Sequence, residues 1–360
     1  MQTLKKIATT SAVAALAIGL AACGSNSTSG SSPSGTGAGS GTGTGGAGQL
    51  KVGMAYDVGG RGDHSFNDSA AAGLDEAEKK FGIKPSEIVA TSTDNDASRL
   101  NRLQQLAQNG NTAIVAVGFS YASAVGKAAQ QFPNVKFAII DDASDASKGT
   151  NVDQITFTEE QGSFLAGAAA ALKSKSNHIG FVGGVQNPLI QKFQAGYVAG
   201  AKYVNKNIKV DVAYLTQPPD FSGFADPAKG KTAAAGMYQN GADIVYGAAG
   251  KSGDGVFQAA KAAGTGHWAI GVDSDQALTA DASVRDVILT SMVKGVNVGV
   301  LDFLTRVHDG TFKGGNTVFA LKDGGVSLAT TGGHIDDIKS KLDDIKAKIV
   351  SGEIKVPTTP

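Results

Sequence analysis

The chain has one cysteine in 360 residues, Cys23, so no disulfide can form within it. Stability must come from burial, which a chain of this length can supply. Net charge is also missing: 32 basic side chains face 32 acidic ones. No strong field exists to gather nucleic acid or to hold an anionic membrane surface, and no nucleic-acid partner is expected. The five histidines, at 64, 178, 267, 308 and 334, are scattered without metal-ligand spacing. No Gly-x-Ser-x-Gly elbow with a plausible triad is present. Gly250-Lys251-Ser252 looks like the end of a phosphate loop, but Val245 stands where the motif needs its first glycine. Asp57, Asp63 and Asp68 do not follow the alternation of an EF-hand loop. Arg61-Gly62-Asp63 is an adhesion-type tripeptide lying within a longer glycine-rich segment. These absences argue against a metal, a cofactor or covalent chemistry.

The first 49 residues carry an address. Lys5 and Lys6 precede an apolar run from Ile7 to Leu20, then Ala21-Ala22-Cys23-Gly24. A charged start, a short apolar core and small residues at a cut form a secretory leader over 1–22. The run is too short to cross a bilayer core of about 30 Å, which takes roughly 20 residues. A lone cysteine after Leu-Ala-Ala resembles the lipobox of bacterial lipoproteins, whose thiol receives a diacylglyceryl group. Cys23 is therefore the expected lipid anchor, and two acyl chains hold stably where one does not. Residues 24–48 are almost wholly Gly, Ser, Thr and Ala. They cannot offset their ordering entropy by burial, and 23–49 reads as a lipidated cysteine with a flexible tether reaching about 25–30 Å. The expected location is the outer face of a cell membrane. Loss of Lys5 and Lys6 with the leader leaves 30 basic against 32 acidic side chains.

From Leu50 the pattern changes. Strand-like apolar runs at 50–56, 86–92, 113–117 and 136–140 alternate with helical periodicity at 69–81, 96–109 and 123–132. A glycine-rich loop, 57–68, follows the first strand. The rhythm restarts with helices at 162–173, 189–205, 229–240 and 253–263 and strands at 178–182, 208–215, 242–247, 268–272 and 287–291. A helix from Val293 to His308, a short strand pair near 317–328 and a helix at 335–350 complete the chain. In the last helix Ile335, Ile338, Leu342, Ile345 and Ile349 share one face, which reads as a docking face within the protein. Two open α/β units with parallel sheets are expected. Such sheets bind ligands at the carboxyl ends of their strands. The loops beginning at Asp57, Gly118, Asp141, Gly183, Gly247 and Asp273 are therefore the informative ones.

Those loops resemble the basic membrane protein (BMP) lipoprotein family. The segment from Asp57 to Asp68, with its glycines and Ser65-Phe66-Asn67, matches the family's opening signature. Further blocks follow in order: Gly118-Phe119, Phe137 to Asp141, Glu160 to Gly167, Gly180 to Gly184, and Lys192-Phe193 with Gly196 and Gly200. Phe224 to Pro227, Ile270 to Gln276, Thr290 to Lys294 and the closing Gly352 to Pro357 complete the match. Family members are substrate-binding lipoproteins of ABC importers, not enzymes. The resemblance implies a two-lobed periplasmic-binding-protein type I fold, each lobe an open parallel sheet flanked by helices. It places lobe one at 50–155 plus 292–315 and lobe two at 156–291 plus 316–360, with three hinge crossings. It also implies a monomer that serves an ABC permease and binds a purine nucleoside.

By the same resemblance, Phe66 and Phe193 stack on the base, and Asp57 and Asn67 are polar contacts of lobe one. Asp141 is the expected acceptor for a purine edge, with Asp142 as the alternative. Asp273 grips the ribose, and Lys294 meets the hydroxyls or Asp273. Gly247 and Gly250 would let the backbone approach the ligand without a Cβ. A sugar or another small polar solute remains an alternative ligand for the same fold. A nucleoside-processing enzyme using the Asp57/Asp68 cluster and a lipid-anchored sensor are readings of other classes.

Overall fold

The computed structural model describes residues 50–360; the leader, Cys23 and the tether call lie outside the described residues. The chain opens with β1 (Val52–Tyr56), α1 (Phe66–Phe81), β2 (Ser86–Val89), α2 (Asp96–Gln108), β3 (Ala113–Val117), α3 (Ala122–Gln131), β4 (Lys136–Ile140) and β5 (Val152–Phe157). It continues through α4 (Glu159–Lys173), β6 (His178–Val185), α5 (Pro188–Val204), β7 (Lys209–Thr216), α6 (Pro227–Gln239), β8 (Ile244–Ala248), α7 (Gly253–Ala263), β9 (Trp268–Asp273), α8 (Gln276–Thr279) and β10 (Ile288–Lys294). The last elements are α9 (Val296–His308), β11 (Gly315–Phe319), β12 (Val326–Leu328) and α10 (Lys339–Val350).

Two six-stranded sheets result, ordered β11-β5-β4-β3-β1-β2 and β12-β10-β9-β8-β6-β7. Every pairing is parallel except β10 with β12. The central strands β1 and β3 are buried along their whole length. Helices cover both faces of such sheets, which is why these strands read as unbroken apolar runs. Each sheet with its helices is one lobe, so the expected α/β two-lobed architecture is present.

The chain passes between lobes three times: from β5 to α4, from β10 to α9 and from β11 to β12. The expected boundaries shift accordingly. Residues 156–157 complete β5 in the first sheet, and β10 carries 292–294 in the second. β11 and β12, expected to pair with each other, join different sheets because the last crossing runs between them. β5 was not legible as a strand: Asp153, Gln154 and Thr156 interrupt its apolar character. Those polar groups are satisfied instead. Asp153 pairs with Arg306 and accepts from Thr317, and Gln154 donates to Ser144 O and Ser147 Oγ.

In lobe two, α4 and α5 cross at close range through glycine. A Cβ at Gly167 would collide with the carbonyl of Tyr197, one at Gly200 with that of Phe164, and one at Gly196 with that of Glu160. α5 starts cleanly: the Asn187 side chain accepts from the amides of Leu189 and Ile190, and Pro188 supplies the preset first turn. The apolar face of the C-terminal segment is buried at Ile335, Ile338, Leu342, Ile345 and Ile349, and α10 packs against α4. The single tryptophan, Trp268, sits at the amino end of β9 with its ring 4.7 Å from that of His334.

Candidate functional site

The carboxyl ends of both sheets face one cavity. Asp57 follows β1, Gly118 and Phe119 follow β3, and Asp141 follows β4. From the other sheet come Ala248 and Ala249 at β8, Asp273 ending β9, and Lys294 ending β10. Phe66 and Asn67 from α1, Leu189, Ile190 and Phe193 from α5, and Phe224 and Gly250 complete most of the wall. The space between these walls, with the open solvent at its mouth included, is about 550 Å³.

The loop after β1 is shaped by Asp63. Its carboxylate accepts from the amides of Ser65, Asn67 and Asp68 at 2.8–3.0 Å and from the Asn67 side chain at 2.9 Å. These bonds tie down the amino end of α1, so the helix starts at Phe66 and not, as the periodicity suggested, at Ser69. Phe66 is thereby held in the first turn of a helix and not on a glycine-rich loop. Asn67 lines the cavity, but its polar ends are committed. Its oxygen accepts from the Asp57 amide at 3.0 Å, and its nitrogen donates to Asp63. Burial pushes the Asp63 carboxyl up to about 6, against the pull of those amides.

Asp57 keeps one oxygen for the loop. Its Oδ1 accepts from the Val58 amide at 2.8 Å and the Ser120 hydroxyl at 3.1 Å. Its Oδ2 lies where a Cβ on Gly118 would stand at 2.5 Å, so a side chain there would displace it. Burial raises the Asp57 carboxyl to about 6; the Val58 amide, the Arg99 charge and Ser120 oppose that rise.

The centre of the site is Lys294. Its Nζ lies 2.6 Å from Asp141 Oδ2 and 3.7 Å from Asp273 Oδ1. It also lies 4.6 Å from the centre of the Phe66 ring and 5.5 Å from those of Phe157 and Phe193. Burial alone would push this ammonium down; Asp141, Asp273 and Glu159 together hold it above the usual lysine range. Burial raises the Asp273 carboxyl, partly offset by Lys294 and Ser65. Asp141 Oδ1 and Asp273 Oδ1 are buried and accept no hydrogen bond among the described residues. Asp141 and Asp273 both have positive φ, 69° and 64°, an uncommon conformation outside glycine that is typical of functional positions. Sequence periodicity had put Lys294 in a helix starting at Val293. It is instead the last residue of β10, where the chain is about to leave lobe two.

The lobes also touch directly. Ser65 Oγ donates to Asp273 Oδ2 at 2.8 Å, and Ser274 Oγ donates to the Ser65 carbonyl at 2.9 Å. The Thr279 hydroxyl donates to the His64 carbonyl at 3.3 Å, and His64 Nδ1 is 3.2 Å from Asp254. At another point Phe119 of lobe one meets Phe221 of lobe two with ring centres 6.0 Å apart. The structure is a closed form.

Eight of the nine expected ligand-binding residues line this one cavity: Asp57, Phe66, Asn67, Asp141, Phe193, Gly250, Asp273 and Lys294. Gly247 does not. It lies inside β8 on the side facing α7, and a Cβ there would meet Val256 at 3.2 Å. Asp142 is also turned away; its Oδ2 accepts from the amide and hydroxyl of Ser144 and from Ser147, fixing the turn. Sequence reasoning missed Phe119 and Phe224 as wall residues, although both stand in segments matched to the family. It also missed Glu159, which is buried at the first crossing with Lys192 3.6 Å away. Burial pushes the Glu159 carboxyl up.

Comparison with known proteins agrees with this geometry. The family model for "ABC transporter substrate-binding protein PnrA-like" proteins matches residues 50–360. The chain is 38% identical to the "ABC transporter nucleoside-binding protein BmpA" of Lactococcus lactis over 326 residues, covering 86% of this chain and 89% of the relative. It is 36% identical to "Basic membrane protein A" of Borreliella burgdorferi over 313 residues, covering 86% and 88%. Among solved structures, an ABC transporter solute-binding protein from Aeropyrum pernix K1 superposes with a TM-score of 0.73 at 29% identity, covering 86% and 93%. With two sheets presenting their carboxyl ends to one cavity and the family's motifs lining it, the chain belongs to the Bmp family of ABC transporter substrate-binding proteins.

Proposed function

We propose that this substrate-binding protein carries purine nucleosides to an ABC permease by closing its two lobes on them. The observation that carries the reading is the pairing of phenyl rings with orphaned carboxylate oxygens around one lysine. Phe66 and Phe193 offer π-faces to a flat base. Asp141 Oδ1 and Asp273 Oδ1 flank Lys294 without donors of their own. A vicinal diol supplies two O–H donors to such acceptors and one oxygen to the ammonium, and charge-assisted bonds are the stronger kind. Asp141, expected from the resemblance to read the purine edge, is bonded to Lys294 and so belongs with the ribose. Asp57 Oδ2 then becomes the acceptor for the base edge. The Lactococcus relative is named a nucleoside-binding protein, which supports the same guest class.

The mechanism is a population shift. A guest held by one lobe adds contacts to the other only when the cleft is shut, so binding favours the closed state that a permease reads. The interlobe bonds at Ser65, Ser274 and Thr279 add about 0.5–1.5 kcal/mol each to that state. No bond of the guest is made or broken.

Mass spectrometry of the small molecule released on denaturing freshly purified protein tests the guest. A purine nucleoside recovered intact supports the reading; a sugar overturns it, and free base would indicate an enzyme. Phe66→Ala and Asp273→Ala should each weaken nucleoside binding by at least about tenfold, roughly 1.4 kcal/mol, in calorimetry. Unchanged affinity in both would remove the site.

The reading includes lipidation of Cys23, attachment to the outer face of the cell membrane and a monomeric state. Cys23→Ser should move the protein from the membrane fraction to the soluble one. Full membrane retention of that variant, or a dimer in sedimentation, would refute these parts.

A further inference from the structure

An aromatic contact outside the cavity joins the two lobes. Phe221 belongs to lobe two, in the segment between β7 and α6. It does not line the cavity, yet it packs on Phe119 of lobe one, which does. The two rings are tilted by 59° with centres 6.0 Å apart, inside the range of favourable aromatic pairs. The Arg99 guanidinium, also of lobe one, stands 5.3 Å from the centre of the same Phe221 ring, close enough for a cation–π attraction. Arg99 lies on α2, which packs against the turn at 119–121, so both partners of Phe221 belong to one surface. Arg99 is only 3% exposed, and its Nε and Nη2 have no hydrogen-bond partner among the described residues. A desolvated cation gains more from a ring face than a hydrated one does. The segment that carries Phe221 is fixed to its own lobe. The Ser222 amide donates to Asp220 Oδ1 at 2.8 Å, and the Phe224 amide donates to the Phe221 carbonyl at 3.2 Å. Ser252 Oγ donates to the Gly223 carbonyl at 2.7 Å and accepts from the Asp226 amide at 2.8 Å. A Cβ on Gly223 would collide with the Gly184 carbonyl of β6. Phe224 lines the cavity, so one fixed segment offers one ring to the guest space and another to the opposite lobe.

We propose that Phe221 is a positioning residue: closure carries it onto Phe119 and Arg99, where it fixes the Phe119 ring as a cavity wall and slows the reopening through which the guest leaves. The inference rests on the closing mechanism above and not on the identity of the guest. The contact spans the lobes, so opening about the hinge must break it. A contact made only in the closed state shifts the population toward that state and shows mainly in the dissociation rate. Phe221 differs in one respect from the interlobe hydrogen bonds at Ser274 and Thr279: the ring it meets is itself a wall of the cavity.

Two measurements test this. The first is the binding and release kinetics of radiolabelled inosine and adenosine. The second is the interlobe distance between spin labels at the exposed positions Lys127→Cys on α3 and Lys231→Cys on α6, in a Cys23→Ser background. Phe221→Ala should speed release by about tenfold with an association rate within about twofold of wild type. It should also lower the closed fraction of the loaded protein. Phe221→Tyr, which keeps the ring, should restore both. In an Arg99→Met background the loss of the Phe221 ring should have a smaller effect on release, because one of its two partners is already gone; equal effects in the two backgrounds would remove Arg99 from the seat. An unchanged release rate in Phe221→Ala overturns the assignment, as does a loss of affinity carried by slower association. A guest-free melting temperature well below wild type also overturns it, marking Phe221 as packing within lobe two. Wild type that binds neither nucleoside would end the nucleoside reading alone. The spin-label distances, compared between wild type and Phe221→Ala still holding the molecule each was purified with, would then decide the Phe221 assignment.

Discussion

Lys294→Met is expected to lower nucleoside affinity by at least about a hundredfold, roughly 2.7 kcal/mol, and to destabilise the protein. The ammonium is the counter-charge for Asp141 and Asp273, and the Glu159 charge also favours it. Removing it leaves buried carboxylates facing one another, and breaking a buried pair in this way costs about 3–5 kcal/mol. The pH dependence follows from the sign of the carboxylate shift. Asp273 already binds its proton more tightly when folded than the free side chain does. A folded-state pKa above the unfolded one means a penalty that is present at high pH and fades as pH falls through the folded value. Chemical denaturation of Lys294→Met should therefore show partial recovery of stability on acidification, while guest affinity stays lost. A variant with near-native affinity would show that the lysine is not part of the grip.

The second large effect lies far from the guest. Gly200→Ala should destabilise lobe two by about 3 kcal/mol or more, because the added methyl runs into the Phe164 carbonyl across the α4–α5 crossing. Alanine favours a helix over glycine by about 1 kcal/mol. That gain is outweighed here, since a backbone carbonyl cannot turn aside as a side-chain tip can. Gly167→Ala should behave alike through the Tyr197 carbonyl. The matched control is Gly236→Ala on α6, where nothing lies within 4 Å of the new methyl, and it should stabilise by about 0.5–1 kcal/mol. Urea melts of the three variants give the comparison. Equal effects at Gly200 and Gly236 would show that the helices do not meet as closely as described.

The alternation of strands and helices was legible because parallel strands buried on both faces need continuous apolar runs, and β1 and β3 have them. The site was legible mainly through resemblance, together with the rule that open sheets bind at strand ends. What sequence could not supply was partnership. Asp141 and Asp142 are adjacent and chemically alike; only the turn at Ser144 and Ser147 commits one of them elsewhere. Gly247 and Gly250 look alike in sequence, yet strand alternation points the first at α7. Lys294 was read as helical because apolar spacing continues from Val293 into α9. The strand is kept going by pairing with β9 and β12, which are distant in sequence. Arg99 gave no local signal, since Phe221, which its guanidinium faces, comes from the other lobe.

Trp268 stands at the amino end of β9, whereas the cavity collects the carboxyl ends of the strands. Its indole therefore reports on the pole of lobe two and on the neighbouring His334 imidazole. Intrinsic fluorescence should follow the melting of that lobe, yet remain nearly silent when solute is captured. A spectroscopic assay of capture in this protein needs a dye or a new indole installed at the rim, and a flat emission trace from the native chain is no sign that nothing has bound.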